Sequence, residues 1–316
     1  MARVPAQAPR PRPLPKQRVD GVLLLDKPLG LTSNAALQRA KRALRARKAG
    51  HTGTLDPAAT GLIALCFGDA TKFSSALLDA DKVYQAEVRL GVTTTTGDRE
   101  GEVVERREPR VDAGDVERVL ARFRGAILQV PPMHSAIKLA GTPLYAYARK
   151  GQEVERAPRQ VMIYSLELER VEGDLLRLAI HCGKGTYVRT LAEDIGAALG
   201  CGAHLSALQR TAVGSFDLAR AVPLDRLEEM GEAERHGCLL PTDALVANLP
   251  ALVLGERQAR RMRHGQPVLT EAERPSGLVR LYDEEGAFLG LGEVVNGGVI
   301  NPRRLVSEAS EGEASP

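Results

Sequence analysis

The run Gly50-His51-Thr52-Gly53-Thr54-Leu55-Asp56-Pro57-Ala58-Ala59-Thr60-Gly61 constrains this chain more than any other stretch of it. Its three glycines and its Asp-Pro step describe a tight, polar loop, because glycine tolerates φ > 0 and proline fixes φ. Asp56 is the only carboxylate in the run, and neither a second acid nor a metal-ligand pattern stands beside it. Chemistry at this loop would have to use one carboxylate. The alternative is structural: Asp-Pro initiates turns, and an Asp side chain caps them by accepting from backbone N–H groups.

At 316 residues, 43% of them hydrophobic, the chain can bury a substantial core and divides more naturally into two domains than one. Aromatic residues make up 3% and Trp is absent, so the cores are built from Leu, Val, Ile and Ala, and each of the six Tyr becomes informative. A net charge of +3 permits nucleic-acid binding without requiring it, which leaves local clustering to decide. Cys66, Cys182, Cys201 and Cys238 are far apart, with neither CxxC nor zinc spacing, and read as reduced, packed thiols. No apolar run approaches the length of about 20 residues that spans a bilayer, and there is no signal-peptide core. The expected compartment is the cytoplasm.

Residues 1–19 hold five prolines and five cations without an acid, and read as a disordered basic arm. Gly21 to Leu25 is a strand entering the turn Asp26-Lys27-Pro28-Leu29-Gly30. Thr32 or Ser33 caps the helix that follows, with Leu37, Ala40 and Leu44 on its apolar face. Lys41, Arg45 and Lys48 form a stripe thickened by Arg39, Arg42 and Arg47, a run free of acids and suited to phosphate contact. Leu62 to Cys66 reads as a buried strand and Thr71 to Leu78 as a helix. Val83 to Leu90 alternates, placing Tyr84, Ala86, Val88 and Leu90 on the inward face.

Thr93 to Gly101 is a polar loop and Asp115 to Phe123 a helix. The stretch 131–158 reads as an insertion whose Lys138, Arg149, Lys150, Arg156, Tyr145 and Tyr147 could grip RNA by charge and stacking. Strands Val161 to Val171 and Leu175 to His181 precede a helix that starts at Tyr187 and is closed by Gly200. Arg189 sits in its first turn, the wrong end of the dipole for a cation, which suggests a specific anionic partner. Residues 223–249 mix short helices and a loop at a domain boundary. A basic helix follows, with Arg257, Arg260, Arg261 and Arg263, then short strands with hairpin turns at Glu285-Gly286 and Asn296-Gly297-Gly298. Residues 307–316 form a disordered acidic tail.

Together, the DKPxG stretch with Lys27 and Pro28, the GHTGTLDPxATG loop, Tyr84 after Asp81-Lys82, Gly185-Thr-Tyr-Val-Arg189-Thr with Asp194, and Gly200 to Leu205 with Leu208-Gln-Arg210 resemble the TruB family of tRNA pseudouridine synthases, which includes the RNA-guided dyskerin-type enzymes. The resemblance runs from about Gly21 to Leu305. It implies an α+β pseudouridine synthase fold: a central mixed, mainly antiparallel sheet flanked by helices over residues 20–249, plus a small PUA-like RNA-binding β-barrel over 250–306. It implies isomerisation of uridine 55 in the tRNA T loop by base flipping, with no cofactor, no metal and no obligatory protein partner, by a monomer.

By the same resemblance Asp56 is the catalytic carboxylate, and Arg189 favours its charged form. Tyr84 stacks on the flipped base, Leu208 is a pocket wall, Tyr187 lines the site, and His51 fills space vacated by flipped nucleotides. Lys27 and Pro28 support the loop. Lys41, Arg45, Lys48, Lys138, Arg149 and Arg210 are the cations expected to touch RNA. One departure is His134, where family members usually carry an aromatic residue. The competing functions are a non-catalytic tRNA-binding or RNA-folding protein and a guide-RNA-dependent synthase.

Overall fold

The computed structural model describes residues 15–135, 137–139, 141–270, 276–295 and 297–307. Residues 1–14 of the expected arm, Asn296 of the last turn and residues 308–316 of the expected tail lie outside them. In chain order the elements that position the site are β1 (Gly21–Lys27), α1 (Ser33–Ala43), β2 (Ala49–Thr52), β3 (Ala59–Phe67), β4 (Lys82–Leu90), α2 (Ala113–Leu120), β5 (Gly125–Gln129), β6 (Arg159–Glu172), β7 (Leu175–Cys182), α3 (Val188–Ala198) and β8 (Ala203–Val213). The C-terminal part adds β9 (Ala251–Val253), α4 (Glu256–Arg263), β10 (Val268–Leu269), β11 (Gly277–Tyr282), β12 (Phe288–Val295) and β13 (Val299–Leu305).

The main sheet runs β1-β3-β8-β4-β7-β6-β5, with β2 also on β3 and with the short strand Val222–Pro223 on the outer side of β1. β3 runs parallel to β8, and β1 runs parallel to the short strand; the other pairs are antiparallel. The sheet is thus mixed and mainly antiparallel, as the family resemblance implies.

Two strand patterns have one physical cause. β1 and β3 are buried on both faces, so they read as continuous apolar runs. Leu23, Leu25, Ile63 and Leu65 meet α1 on one side, while Val22, Leu24, Leu62, Ala64 and Cys66 pack with Phe73, Leu77, Val213 and Phe216 on the other. β4 is covered on one face only and alternates, with Tyr84, Ala86, Val88 and Leu90 buried and Arg89 exposed.

Some expectations need correcting. Residues 17–19 do not belong to a free arm: the Gln17 amide donates to Arg45 O (2.8 Å), Arg47 N donates back to Gln17 O (3.0 Å), and Val19 is buried. Thr71 to Leu78 is not one helix but a 3₁₀ turn, Gly68–Lys72, followed by a single turn at Ser75–Leu78. β8, central to the sheet, has no strand signature in the sequence because register shifts between Leu205 and Ala207 and between Arg210 and Ala212 break its period of two. The α1 stripe is not free of acids in three dimensions. Arg39 reaches Glu228 (2.8 Å) and Asp225 (2.9 Å), and Arg45 pairs with Glu232.

The C-terminal sheet, in order β9-β11-β12-β13-β10, is a curled half-barrel around Leu252, Met262, Leu281 and Ile300. It shares a core with the main body: Phe288 lies 5.4 Å from Phe73, ring to ring, and Lys72 donates to Leu305 O (3.0 Å).

Candidate active site

The loop between β2 and β3 is fixed from three sides before any ligand arrives. Thr32 caps α1 by accepting from Ala35 N (3.0 Å), and the next residue, Ser33, turns its buried hydroxyl to the loop, donating to Leu55 O (2.9 Å) and accepting from Leu55 N (2.8 Å). Gly30 N donates to Pro57 O (2.9 Å), and Ala59 N closes the turn on Asp56 O (3.0 Å). Gly53 has φ +77°, a conformation open to glycine. Lys27 is fully buried and donates to Pro28 O (3.0 Å) and Leu31 O (2.8 Å), which braces the DKPLG turn under the loop.

Asp56, 40% exposed at its side chain, meets Arg189, whose side chain is 6% exposed. Arg189 Nη2 lies 3.0 Å from Asp56 Oδ2 and donates to His134 O (2.8 Å). Its Nη1 donates to Thr96 O (3.3 Å) and stands 3.6 Å from Asp98 Oδ2. The helix-end position that predicted an anionic partner for Arg189 has two. Asp98 is itself held, accepting from Thr96 Oγ1 (2.6 Å) and Glu100 N (3.0 Å).

Burial pushes the Asp56 carboxyl above its usual range; Arg189 and Lys27 pull it back, while Asp98 adds to the rise. Burial brings Lys27 down to about 8, with the Asp56 charge opposing the fall.

The other expected residues separate. Tyr84 is buried on β4, directly opposite Arg210 of β8. Tyr187 precedes α3, clasped by Gln129, which accepts from Tyr187 N (3.0 Å) and donates to its carbonyl (3.3 Å). Leu208 lines a narrow pocket with Asp56, Asp98, Arg189 and Leu205. The space there is about 10 Å³, a single water's worth, so a nucleobase enters only by displacing lining side chains. A wider groove of about 490 Å³ continues from Ala58, Ala207 and Leu208 past Gln85, Glu87 and Arg177.

His51, half-buried on β2, is held below its usual pKa by burial and by the Arg210 charge; its Nδ1 has no partner among the described residues. Lys48, Lys138 and Arg149 are exposed, the last stacked over Tyr145 at 5.3 Å, and Lys41 is half-buried. Arg45 is engaged by Glu232. Arg210 cannot be a phosphate contact: it is 1% exposed and donates to Leu62 O (2.8 Å) and Gly53 O (3.3 Å).

Sequence reasoning missed Ser33 as a loop anchor and Asp98 as the second acid on Arg189. Asp98 stands in a stretch legible only as a polar loop, and its burial is created by α3 packing from far along the chain. Among the described residues, no group of three or more His, Cys, Asp or Glu could hold a metal ion. No helix among them is long and apolar enough to cross a membrane.

Comparison with known proteins gives this geometry a lineage. Residues 41–188 match the model of the TruB family pseudouridylate synthase N-terminal domain. Residues 189–247 match a tRNA pseudouridylate synthase B C-terminal domain, and 250–306 match the C-terminal domain of pseudouridine synthase II TruB. A tRNA pseudouridine synthase B of Thiobacillus denitrificans is 56% identical over 292 residues, 92% of this chain and 97% of that one. One from Aromatoleum aromaticum is 55% identical over 297 residues, 94% and 96% of the two chains.

Among solved structures, a chain of a Cbf5-Nop10-Gar1 complex aligns with TM-score 0.67 and 26% identity over 90% of this chain and 84% of that one. A chain of an H/ACA RNP bound to a substrate RNA aligns with TM-score 0.68 and 24% identity, over 91% and 85%. On full-length identity, shared fold and a loop that delivers one carboxylate to one buried arginine, the chain belongs to the TruB family of pseudouridylate synthases.

Proposed function

We propose that the protein isomerises uridine 55 in the T loop of tRNA to pseudouridine, acting alone in the cytoplasm, with Asp56 as the essential carboxylate. The observation that carries the reading is the Asp56–Arg189–Asp98 arrangement, in which one buried guanidinium holds a loop carboxylate at the mouth of a narrow pocket. The reaction breaks N1–C1′, turns the uracil, and joins C5 to C1′. N1 ends protonated and C5 loses a proton, so there is no net redox change. Attack on C1′, attack on C6 and proton removal at C2′ each require an ionised carboxylate in a dry site. Arg189 keeps Asp56 ionised against burial.

In this reading Tyr84 and Leu208 receive the flipped base, Tyr187 lines the site and His51, kept neutral by its surroundings, fills the space behind it. The curated relatives are named as tRNA enzymes, which favours a stand-alone tRNA substrate over guide-dependent assembly. The test is pseudouridine mapping on unmodified tRNA incubated with the purified protein alone. Modification at position 55 is expected; tRNA bound but left unmodified would return the protein to the binding class, and activity only with added guide RNA would contradict the stand-alone reading.

A further inference from the structure

Arg210 heads the large side chains that solvent does not reach. A guanidinium is expensive to bury unless every donor is used, yet among the described residues no carboxylate forms an ion pair with this one. Its partners are oxygens of the catalytic machinery. Nε donates to Leu62 O of β3 (2.8 Å), Nη2 donates to Gly53 O of the Asp56 loop (3.3 Å), and Nη1 lies 3.6 Å from where Gly53 would carry a Cβ. Across the register of β4 and β8, Arg210 stands directly opposite Tyr84, so the two buried side chains are cross-strand neighbours.

Arginine has five N–H donors in a rigid fork, so one guanidinium can hold the loop and the sheet at once.

We propose that Arg210 is a positioning residue for the isomerisation: it ties the Asp56 loop to the strand pair that carries the Tyr84 ring. The proposal rests on the reading of Tyr84 as the residue facing the flipped base.

A double-mutant cycle tests this on the full-length protein with unmodified tRNA, measuring single-turnover rate at saturating enzyme and tRNA affinity separately. Arg210→Lys keeps the charge but not the fork, and circumvents the folding risk of Arg210→Met; thermal unfolding and retained tRNA binding monitor the fold. Arg210→Lys is expected to slow the saturated rate by about 10-fold or more, a scale set by small misplacement of reacting groups, with affinity and its salt dependence unchanged. Combined with Tyr84→Leu, which removes the ring, the loss should fall short of the product of the single losses by about 3- to 100-fold, the range for neighbouring residues.

Losses that simply multiply would overturn the coupling. So would an unchanged saturated rate with weaker binding, which would place Arg210 in substrate capture and not in the chemical step. Full activity of Tyr84→Leu would show that the ring is unused and end the proposal, while leaving the role of Asp56 intact; an active Asp56→Asn would instead end the functional reading itself.

Discussion

Arg189 and Arg210 on one side, and Arg257, Arg260 and Arg261 on the other, are the same side chain used in opposite ways. The first two are buried, and each guanidinium is spent on named oxygens within the site. The other three lie exposed on α4, whose buried positions Ala259 and Met262 face the C-terminal core, and they make no ion pair among the described residues. Their neighbour Arg263 is held by Asp283. A buried arginine reads one partner through geometry; an exposed row of them reads a polyanion through charge density. The first should control rate and the second affinity, and each experiment below can break that division.

The largest effect is expected at Asp56. Asp56→Asn keeps size and turn bonding but removes the charge, and should lower the single-turnover rate by about 10⁴-fold or more, the scale of losing an essential acid–base or nucleophilic group. tRNA affinity should hold. Asp56→Glu should lose about 10²-fold, since a methylene displaces the carboxylate by about 1 Å. Stability should move the other way. The folded pKa of Asp56 lies above its unfolded value of 3.8, so ionised Asp56 opposes folding at neutral pH, and that opposition fades as the pH falls through the folded pKa. Asp56→Asn should therefore unfold at a higher temperature than the wild type at pH 7; an unchanged or lower Tm would mean that the pairing with Arg189 offsets the burial of the Asp56 charge.

Next comes the arginine between the two acids. Arg189→Met leaves Asp56 and buried Asp98 without their cation and should destabilise the fold by about 3–5 kcal/mol, the cost of breaking a buried pair by one partner. Arg189→Lys should fold but lose about 10²-fold in rate, because one ammonium cannot serve Asp56, His134 O, Thr96 O and Asp98 together. The pH–rate profile then distinguishes the neighbours. Activity should fall on acidification with a midpoint above the ordinary carboxylate range. Asp98→Asn removes a like charge and should move that midpoint down, whereas Lys27→Met removes a favourable cation and should move it up. Shifts in the same direction would contradict this electrostatic account.

What the sequence could and could not reveal follows from which interactions are local. The double-sided burial of β1 and β3, the alternation of β4 and the dipole-defying place of Arg189 are written in neighbouring residues, and each is legible there. β8 is not, because its bulges shift the period, and its pairing with β3 joins Leu208 to Ala59 across the chain. The fate of cations is the least legible. Arg45 and Arg39 look like an open basic stripe until Glu232, Glu228 and Asp225 arrive from helices near residue 230. Arg210 looks like a surface cation until the sheet closes over it. A motif points to Asp56 and Arg189; Asp98, with no motif residue to name it, needs the fold.

The smallest effects should come from α4, and they decide whether the comparison holds. Deleting the C-terminal part is a poor test, since Phe288 and Leu291 fill the core that contains Phe73, and Asp69 accepts from Ser307 Oγ (3.2 Å). Removing that sheet would expose apolar surface of the catalytic body. Substituting Arg257, Arg260 and Arg261 with Gln leaves both cores intact, because all three side chains are exposed. Removing one phosphate-binding cation should lower the slope of log affinity against log salt by about 0.7 to 0.9, so removing all three would lower it by about 2 to 3, with each single variant costing a few-fold in affinity at moderate salt. The saturated single-turnover rate should stay at the wild-type value, because exposed charge recruits the substrate without touching the reacting atoms. If instead that rate dropped while the salt slope held, α4 would be acting through the fold on the distant pocket, and the division between wired and exposed arginines would fail.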